Sequence, residues 1–326
     1  MTRAQIIGTG SYAPEKVITN ADLSKLVETS DEWIVERTGI RERRQAADGE
    51  VTSDMAVKAA IRALEMASTR AEDLDMIVVG TISGDMPMPA CAAFVAHKLG
   101  ATKAFAFDVS AACAGSLFGM SVATQFIQTG MVKRALVIGV ELLTRLIDWS
   151  DRNTCVLFGD AAGAMVLGPT QEDRGIMSTH LHTDGAEAGI LCIPGGGSKS
   201  PVSAEMMKAK LHKVSMNGRE VYKVAVRSLT EVVNEALAHN GKTAADVTHV
   251  IAHQANLRIL QAVLDRVGLP IEKAFINIHK YGNTSSASLP ITLDEANRAG
   301  KLKAGDTIAM MAIGAGMSWG SALVRW

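Results

Sequence analysis

One ordered set of helices, turns and strands runs through this chain twice, and that repeat limits the folds open to it. The first copy begins with Val57, Ala60, Ile61 and Leu64 at helical spacing. An acidic turn, Glu72-Asp73, leads to the apolar strand Met76–Val79. A helix ends at Leu99-Gly100, and the strand Phe105–Val109 delivers Cys113. A further helix ends at Gly130–Lys133, before the strand Ala135–Gly139. The second copy begins with Val226, Leu229, Val232, Val233 and Leu237, again helical. Asp246 leads to the strand His249–Ala252, and a helix ends at Val267-Gly268. The expected strand Phe275–Ile278 delivers Asn283. A last helix ends at Gly300–Lys303, before the strand Thr307–Met311.

Strands alternating with helices form layered sheets with helical crossovers. The repeat therefore predicts an α/β protein of two halves, residues 1–170 and 171–326, related by a pseudo-twofold axis. The stretch from about Gly168 to Val221 lies outside the tightest repeat. It reads as the first strands of the second half plus an excursion. In such sheets ligands collect at the carboxyl ends of the strands. Cys113 and Asn283 follow matching strands, and His253 lies just past the strand His249–Ala252. The repeat alone thus expects Cys113, His253 and Asn283 to meet.

At 326 residues with 48% hydrophobic content, the chain can bury a large core. A formal net charge of -1 and only 4% aromatic residues argue against nucleic acid or an anionic membrane as partner. The N-terminus has no signal-peptide pattern, and no apolar run is long enough to span a bilayer. The cysteines at 91, 113, 155 and 192 are widely spaced, without a C-x-x-C pair. That spacing suits free thiols in the cytoplasm better than a disulfide framework or a zinc site. Cys113 sits where a strand feeds a helix, and a helix N-terminus favours an anion. The expectation is therefore a thiol with a lowered pKa, acting as a nucleophile.

Ordered motifs along the whole chain extend this reading. They include Gly8-Thr-Gly-Ser11-Tyr-Ala-Pro14, Ser30-Asp-Glu-Trp33-Ile-Val-Glu-Arg37-Thr-Gly-Ile-Arg41, and Asp108-Val-Ser-Ala-Ala-Cys113-Ala-Gly115. They continue with Phe158-Gly-Asp160, His253-Gln-Ala-Asn256-Leu-Arg258, Tyr281-Gly-Asn283-Thr-Ser, and Gly314-Ala-Gly316-Met-Ser-Trp319-Gly320. In these motifs the chain resembles the thiolase-like condensing enzymes, and most closely the β-ketoacyl-acyl-carrier-protein synthase III family. That family starts bacterial fatty acid synthesis.

The resemblance implies a duplicated thiolase-like fold in five layers, αβαβα, and a homodimer. It implies that an acyl-CoA, commonly acetyl-CoA, acylates Cys113. Malonyl on acyl carrier protein then loses carbon dioxide, and the carbanion attacks the Cys113 thioester. CoA is a substrate here, and no cofactor or metal is expected. His253 and Asn283 would donate hydrogen bonds to the malonyl thioester oxygen, where negative charge develops. Asn283 cannot act as a base, which favours decarboxylative over proton-abstracting chemistry. The backbone N–H groups of Cys113 and Ala315 would form a second oxyanion site. By resemblance, Trp33 and Arg152 would bracket the CoA adenine and Arg37 would face its phosphates. Thr29 and Asn256 would add polar contacts, and Lys223 and Arg258 would dock the carrier protein.

The chain departs from relatives at a few positions. Ala315 stands in a turn that is often all glycine. Met88 replaces an aromatic residue that closes the acyl pocket in some relatives. Asp265 replaces a basic docking residue, and His279 an acidic one. His249 and His253 have the helical spacing of two zinc ligands, but they lie along a strand and its exit. The nearest competing function is a condensing enzyme of secondary metabolism with another starter or a CoA-bound extender. A papain-like hydrolase also runs Cys, His, Asn in order, but it requires a Cys-Gly-x-Cys-Trp context that is missing here.

Overall fold

Two apolar runs, Met76–Gly80 and Ala135–Glu141, are buried at every residue. Strands of this kind need cover on both faces. The computed structural model, which describes residues 2–326, supplies it. Side chains alternate along each strand. Met76, Val78 and Val137 face the centre of the molecule, with Leu117 and Met120 of the helix Gly115–Gln128. Ile77, Val79 and Leu136 face outward, under the helices Thr52–Met66 and Cys91–Leu99.

The second half repeats this arrangement. Ile308, Met310 and Ala312 face the centre beside Leu289 and Leu293 of the helix Ser288–Arg298. Ala309 and Met311 face the helices Gly218–His239 and Leu257–Val267. The result is five layers, αβαβα, with the helices Gly115–Gln128 and Ser288–Arg298 in the middle.

The first sheet runs in the order Arg3–Tyr12, Ala161–Thr170, Ala135–Glu141, Met76–Gly80, Phe105–Val109. Met76–Gly80 pairs in parallel with both its neighbours. The second sheet runs His249–Ala252, Thr307–Gly314, Ser318–Arg325, Gly175–Thr183. Its one parallel and two antiparallel pairings match those from Met76–Gly80 to Arg3–Tyr12 in the first sheet, and it lacks a counterpart of the parallel edge strand Phe105–Val109.

Phe275–Ile278, expected as a strand, is not one. Only Ala274 bridges to Val250. The Gln254 side chain then intervenes, donating to the Phe275 carbonyl (3.2 Å) and accepting from the Asn277 N–H (3.2 Å). A side-chain amide takes over the bonding of the missing strand, and Ile278 turns into a short helix, Ile278–Tyr281.

The central layer brings the two halves very close. A Cβ on Gly139 would lie 2.1 Å from the Ser286 carbonyl oxygen. Only glycine lets the strand Ala135–Glu141 touch the turn that carries Asn283. A separate pocket of core, containing Ile18, Leu23, Ile34 and Ile40, packs the segment bearing Trp33 and Arg37 against Ile147 and Val156.

Candidate active site

Cys113, His253 and Asn283 line the same cavity, each carried by a different segment. Cys113 lies on a short 3₁₀ turn, Ala112–Ala114, that leads directly into the helix Gly115–Gln128. Ala112 before it has a left-handed φ of 44°, a strain that recurs at functional sites. The strand Thr307–Gly314 ends against this turn. A Cβ on Gly314 would stand 2.5 Å from the Cys113 backbone nitrogen, so glycine keeps that N–H open. Ala315 has no positive φ, so alanine is unstrained there.

His253 and Asn283 are both buried. The Ser285 N–H donates to Asn283 Oδ1 at 2.8 Å, which leaves the Nδ2 hydrogens as donors. Ser288 Oγ lies 2.5 Å from His253 Nδ1. It also lies 2.9 Å from the Ser285 carbonyl, which already receives the Ser288 backbone N–H. Burial pushes the His253 pKa down to about 3, so the ring is neutral. A neutral imidazole carries one ring N–H, so it can donate a hydrogen bond, and it is a poor base.

Cys113 corrects one expectation. Its thiol is not pulled down by the helix terminus. Burial, with a contribution from the Glu141 carboxylate, pushes it up to about 12, although the Ser285 hydroxyl counters part of the rise. The sulfur is enclosed by apolar neighbours, and desolvation of the thiolate outweighs the partial charge of the helix. At neutral pH Cys113 is a thiol.

Cys113, His253 and Asn283 line one cavity of about 680 Å³. Trp33, Arg37, Arg152 and Asn256 line it too. Arg37 lies over the Trp33 ring at 4.6 Å, and Arg152 at 4.9 Å. A flat ring could enter between Trp33 and Arg152 only by displacing that guanidinium. The Asn256 amide is already committed, accepting from the Arg258 N–H (2.8 Å) and donating to the Arg37 carbonyl (3.0 Å). Asn256 therefore holds the cavity wall. Thr29 does not line the cavity, and its hydroxyl is buried without a partner. Arg258 is exposed, and Lys223 is exposed and paired with Glu220 at 2.8 Å. Met88 is 82% exposed and lines neither this cavity nor the smaller one. His249 is 3.4 Å from Asp306, on the far end of its strand from His253.

The smaller cavity, of about 210 Å³, also opens at Cys113. Ile82, Leu143, Phe158, Leu191, Ile193 and Val214 give it an apolar lining, and Ala315 borders it.

Glu141, Ser285 and Ser288 were not foreseen as site residues. Glu141 is the lone charge at the end of an otherwise apolar strand, and Asn283-Thr-Ser-Ser-Ala-Ser288 is dense in hydroxyls. Either signal could have pointed to them.

Comparison with known proteins gives the family. Residues 107–185 match the family described as 3-oxoacyl-[acyl-carrier-protein (ACP)] synthase III, and residues 237–326 match its C-terminal family. The chain is 49% identical to a β-ketoacyl-[acyl-carrier-protein] synthase III of Caldanaerobacter subterraneus, covering 99% of this chain and 98% of that one. It is similar in structure to the 3-oxoacyl-[acyl-carrier-protein] synthase III of Aquifex aeolicus, with a TM-score of 0.92, 44% identity, and coverage of 99% and 100%. It also resembles the priming β-ketosynthase of the R1128 polyketide biosynthetic pathway, with a TM-score of 0.91, 34% identity, and coverage of 99% and 96%.

Proposed function

The chain belongs to the β-ketoacyl-[acyl-carrier-protein] synthase III family, and from that premise we propose how its residues carry out the family's reaction. The protein is an acyltransferase that starts fatty acid biosynthesis. It condenses an acyl-CoA with malonyl on acyl carrier protein, releasing CoA and carbon dioxide and giving 3-oxoacyl-acyl carrier protein.

Cys113 is the nucleophile. Its sulfur attacks the acyl-CoA carbonyl, and the backbone N–H groups of Cys113 and Ala315 hold the resulting oxyanion. CoA leaves, and the acyl chain rests in the small apolar cavity as a thioester, which is reactive enough to pass on. Malonyl then enters beside it. As carbon dioxide departs, charge builds on the malonyl thioester oxygen. Asn283 Nδ2–H and the His253 ring N–H donate to that oxygen. The carbanion attacks the Cys113 thioester and expels the sulfur. The reading rests above all on the convergence of Cys113, His253 and Asn283 on a single cavity.

In this scheme Trp33, Arg37 and Arg152 hold the CoA nucleotide by stacking and guanidinium charge. Asn256 shapes the approach by holding the cavity wall, and Lys223 and Arg258 meet the acidic carrier protein. Acetyl-CoA is the proposed starter. Residues 1–170 supply the nucleophile, and residues 171–326 supply His253 and Asn283. We infer a homodimer because Phe105–Val109 is an unpaired sheet edge with Phe105 46% exposed, a surface that proteins seldom leave uncovered. Four free thiols suit a cytoplasmic setting.

The test is product formation from acetyl-CoA with malonyl on carrier protein, run beside malonyl-CoA. The proposal expects 3-oxobutyryl-carrier product and little turnover of malonyl-CoA. A preference for malonyl-CoA, or for another starter class, would assign the chain to the secondary-metabolism condensing enzymes.

A further inference from the structure

The turn that carries Asn283 belongs to the second half, yet it is tied to a carboxylate of the first. Glu141 ends the strand Ala135–Glu141 and is fully buried. Among the described residues, its hydrogen-bond partners are all uncharged donors. The Ile82 N–H lies 3.2 Å from Oε2, Ser83 Oγ 2.5 Å and Thr81 Oγ1 3.3 Å. These three anchor the carboxylate within the first half. Oε1 faces the second half and accepts from Ser285 Oγ at 3.2 Å. A buried carboxylate with no counter-charge is costly to keep, and groups of this kind gather at functional sites.

Ser285 is the joint of the turn. It carries a side chain, yet its φ is 50°, in the left-handed region that few residues other than glycine adopt. Three bonds fix it there. Its N–H donates to Asn283 Oδ1 at 2.8 Å. Its carbonyl accepts from Ser288 Oγ at 2.9 Å, and that oxygen lies 2.5 Å from His253 Nδ1. Its hydroxyl donates to Glu141. Among the described residues, only this third bond leaves the second half. The Asn283 backbone has anchors of its own. Its N–H donates to the Leu157 carbonyl (2.8 Å), and its carbonyl accepts from the Gly159 N–H (3.0 Å). Its side-chain amide is held only through Ser285, among the described residues. A loosened Ser285 therefore leaves the chain in place and frees the amide to turn.

We propose that Glu141 is a positioning residue for decarboxylation: through the Ser285 hydroxyl it holds Ser285 in its left-handed conformation, and Ser285 in turn fixes the Asn283 amide with Nδ2 free to donate to the malonyl thioester oxygen. This rests on the reading of Asn283 as a donor in that step. It also accounts for a serine at a backbone position that suits glycine, because the hydroxyl is the link to the first half. Neither Glu141 nor Ser285 need touch the malonyl group.

The two half-reactions separate this role from a purely structural one. Enzyme already carrying acetyl on Cys113 is mixed with malonyl on carrier protein, and rapid quench follows carbon dioxide. The pH is set well above 7, the value to which burial raises Glu141, so that the carboxylate is ionised. Acetylation of Cys113 is timed separately by intact mass. The variants are Ser285→Gly, Glu141→Met and Asn283→Ala, with each of the first two also combined with the third. Glycine takes a positive φ without strain, so Ser285→Gly folds and keeps the test open if Glu141→Met does not. Each of these two should slow carbon dioxide release by ~10–10²-fold, the scale of a misplacement of about 1 Å, and slow acetylation far less. Added to Asn283→Ala, neither should slow release further, because no amide is left to hold. Wild-type release in either variant, equal slowing of both half-reactions, or full additional slowing on top of Asn283→Ala overturns the positioning role alone. Wild-type release in Asn283→Ala itself overturns that role together with the reading of Asn283.

Discussion

At the scale of single residues, two buried groups are shifted in directions that can be measured. Burial raises the folded-state pKa of Glu141 from an ordinary 4.5 to about 7. A raised acid makes its stabilising contribution at low pH and loses it as pH rises through the folded value. Across that window the native state holds a proton that the unfolded state has released, so the stability slope is negative. Glu141→Gln lacks this loss. The stability difference between wild type and Glu141→Gln should therefore move in favour of the variant by about 3 kcal/mol between roughly pH 4.5 and pH 8. Urea unfolding at several pH values reads this directly, and a flat difference would contradict the shift. Asn283 carries a second prediction. In the proposed scheme its Nδ2 donors serve the decarboxylation step, so Asn283→Ala should slow carbon dioxide release by a factor corresponding to ~2.7–4 kcal/mol while Cys113 is still acetylated. Rapid-quench assays of the two half-reactions would separate them. That Cys113, His253 and Asn283 line one cavity was readable in the sequence, from a repeat that sets Cys113 and Asn283 after corresponding segments and His253 just past a strand. The state of Cys113 was not. A strand-to-helix turn suggests a lowered pKa, and only the enclosing apolar wall reverses it.

At the scale of elements, the site depends on two backbones in contact. Gly139→Ala would drive a Cβ to 2.1 Å from the Ser286 carbonyl. The strand Ala135–Glu141 or the 283–288 turn must then shift. Overpacking of this kind costs about 1–3 kcal/mol, and activity should fall more than stability because Asn283 and Ser285 ride on that turn. Thermal unfolding and kcat measured together would show the split. The segment carrying Trp33 and Arg37 hangs on one buried guanidinium. Arg43 donates to Asn20 Oδ1 (2.8 Å), the Ile18 carbonyl (3.2 Å) and the Val156 carbonyl (2.7 Å). Arg43→Ala leaves three buried acceptors without donors, each worth ~1–3 kcal/mol. It should lower Tm sharply and raise KM for acyl-CoA in whatever fraction still folds. Five of the six strands read from the repeat exist, because each is a short apolar run between turn signals. Phe275–Ile278 is equally apolar, but the Gln254 amide occupies its backbone partners, and that long-range bond has no local signature.

At the scale of the whole molecule, the layered halves meet through the central helices, and residues of both line the cavity at Cys113. Neither half contains a complete site. The unpaired edge Phe105–Val109 bears on assembly: Phe105→Asp should shift sedimentation from dimer toward monomer, and an unchanged dimer would place the interface elsewhere. The pairing of the halves was legible because the repeat is written in element order. The cavities that open at Cys113 were not, because their walls come from segments far apart in the chain, such as Ile82, Phe158 and Val214. The central claim is that sulfur from the first half carries an acyl group which a malonyl unit, held by the second half, removes. Intact-mass analysis after mixing with acetyl-CoA, and again after adding malonyl on carrier protein, tests it most directly. One acetyl group should appear on Cys113, vanish on addition of the malonyl carrier, and be absent throughout in Cys113→Ala; an acetyl group that forms on another residue, or that malonyl-carrier leaves in place, would contradict it.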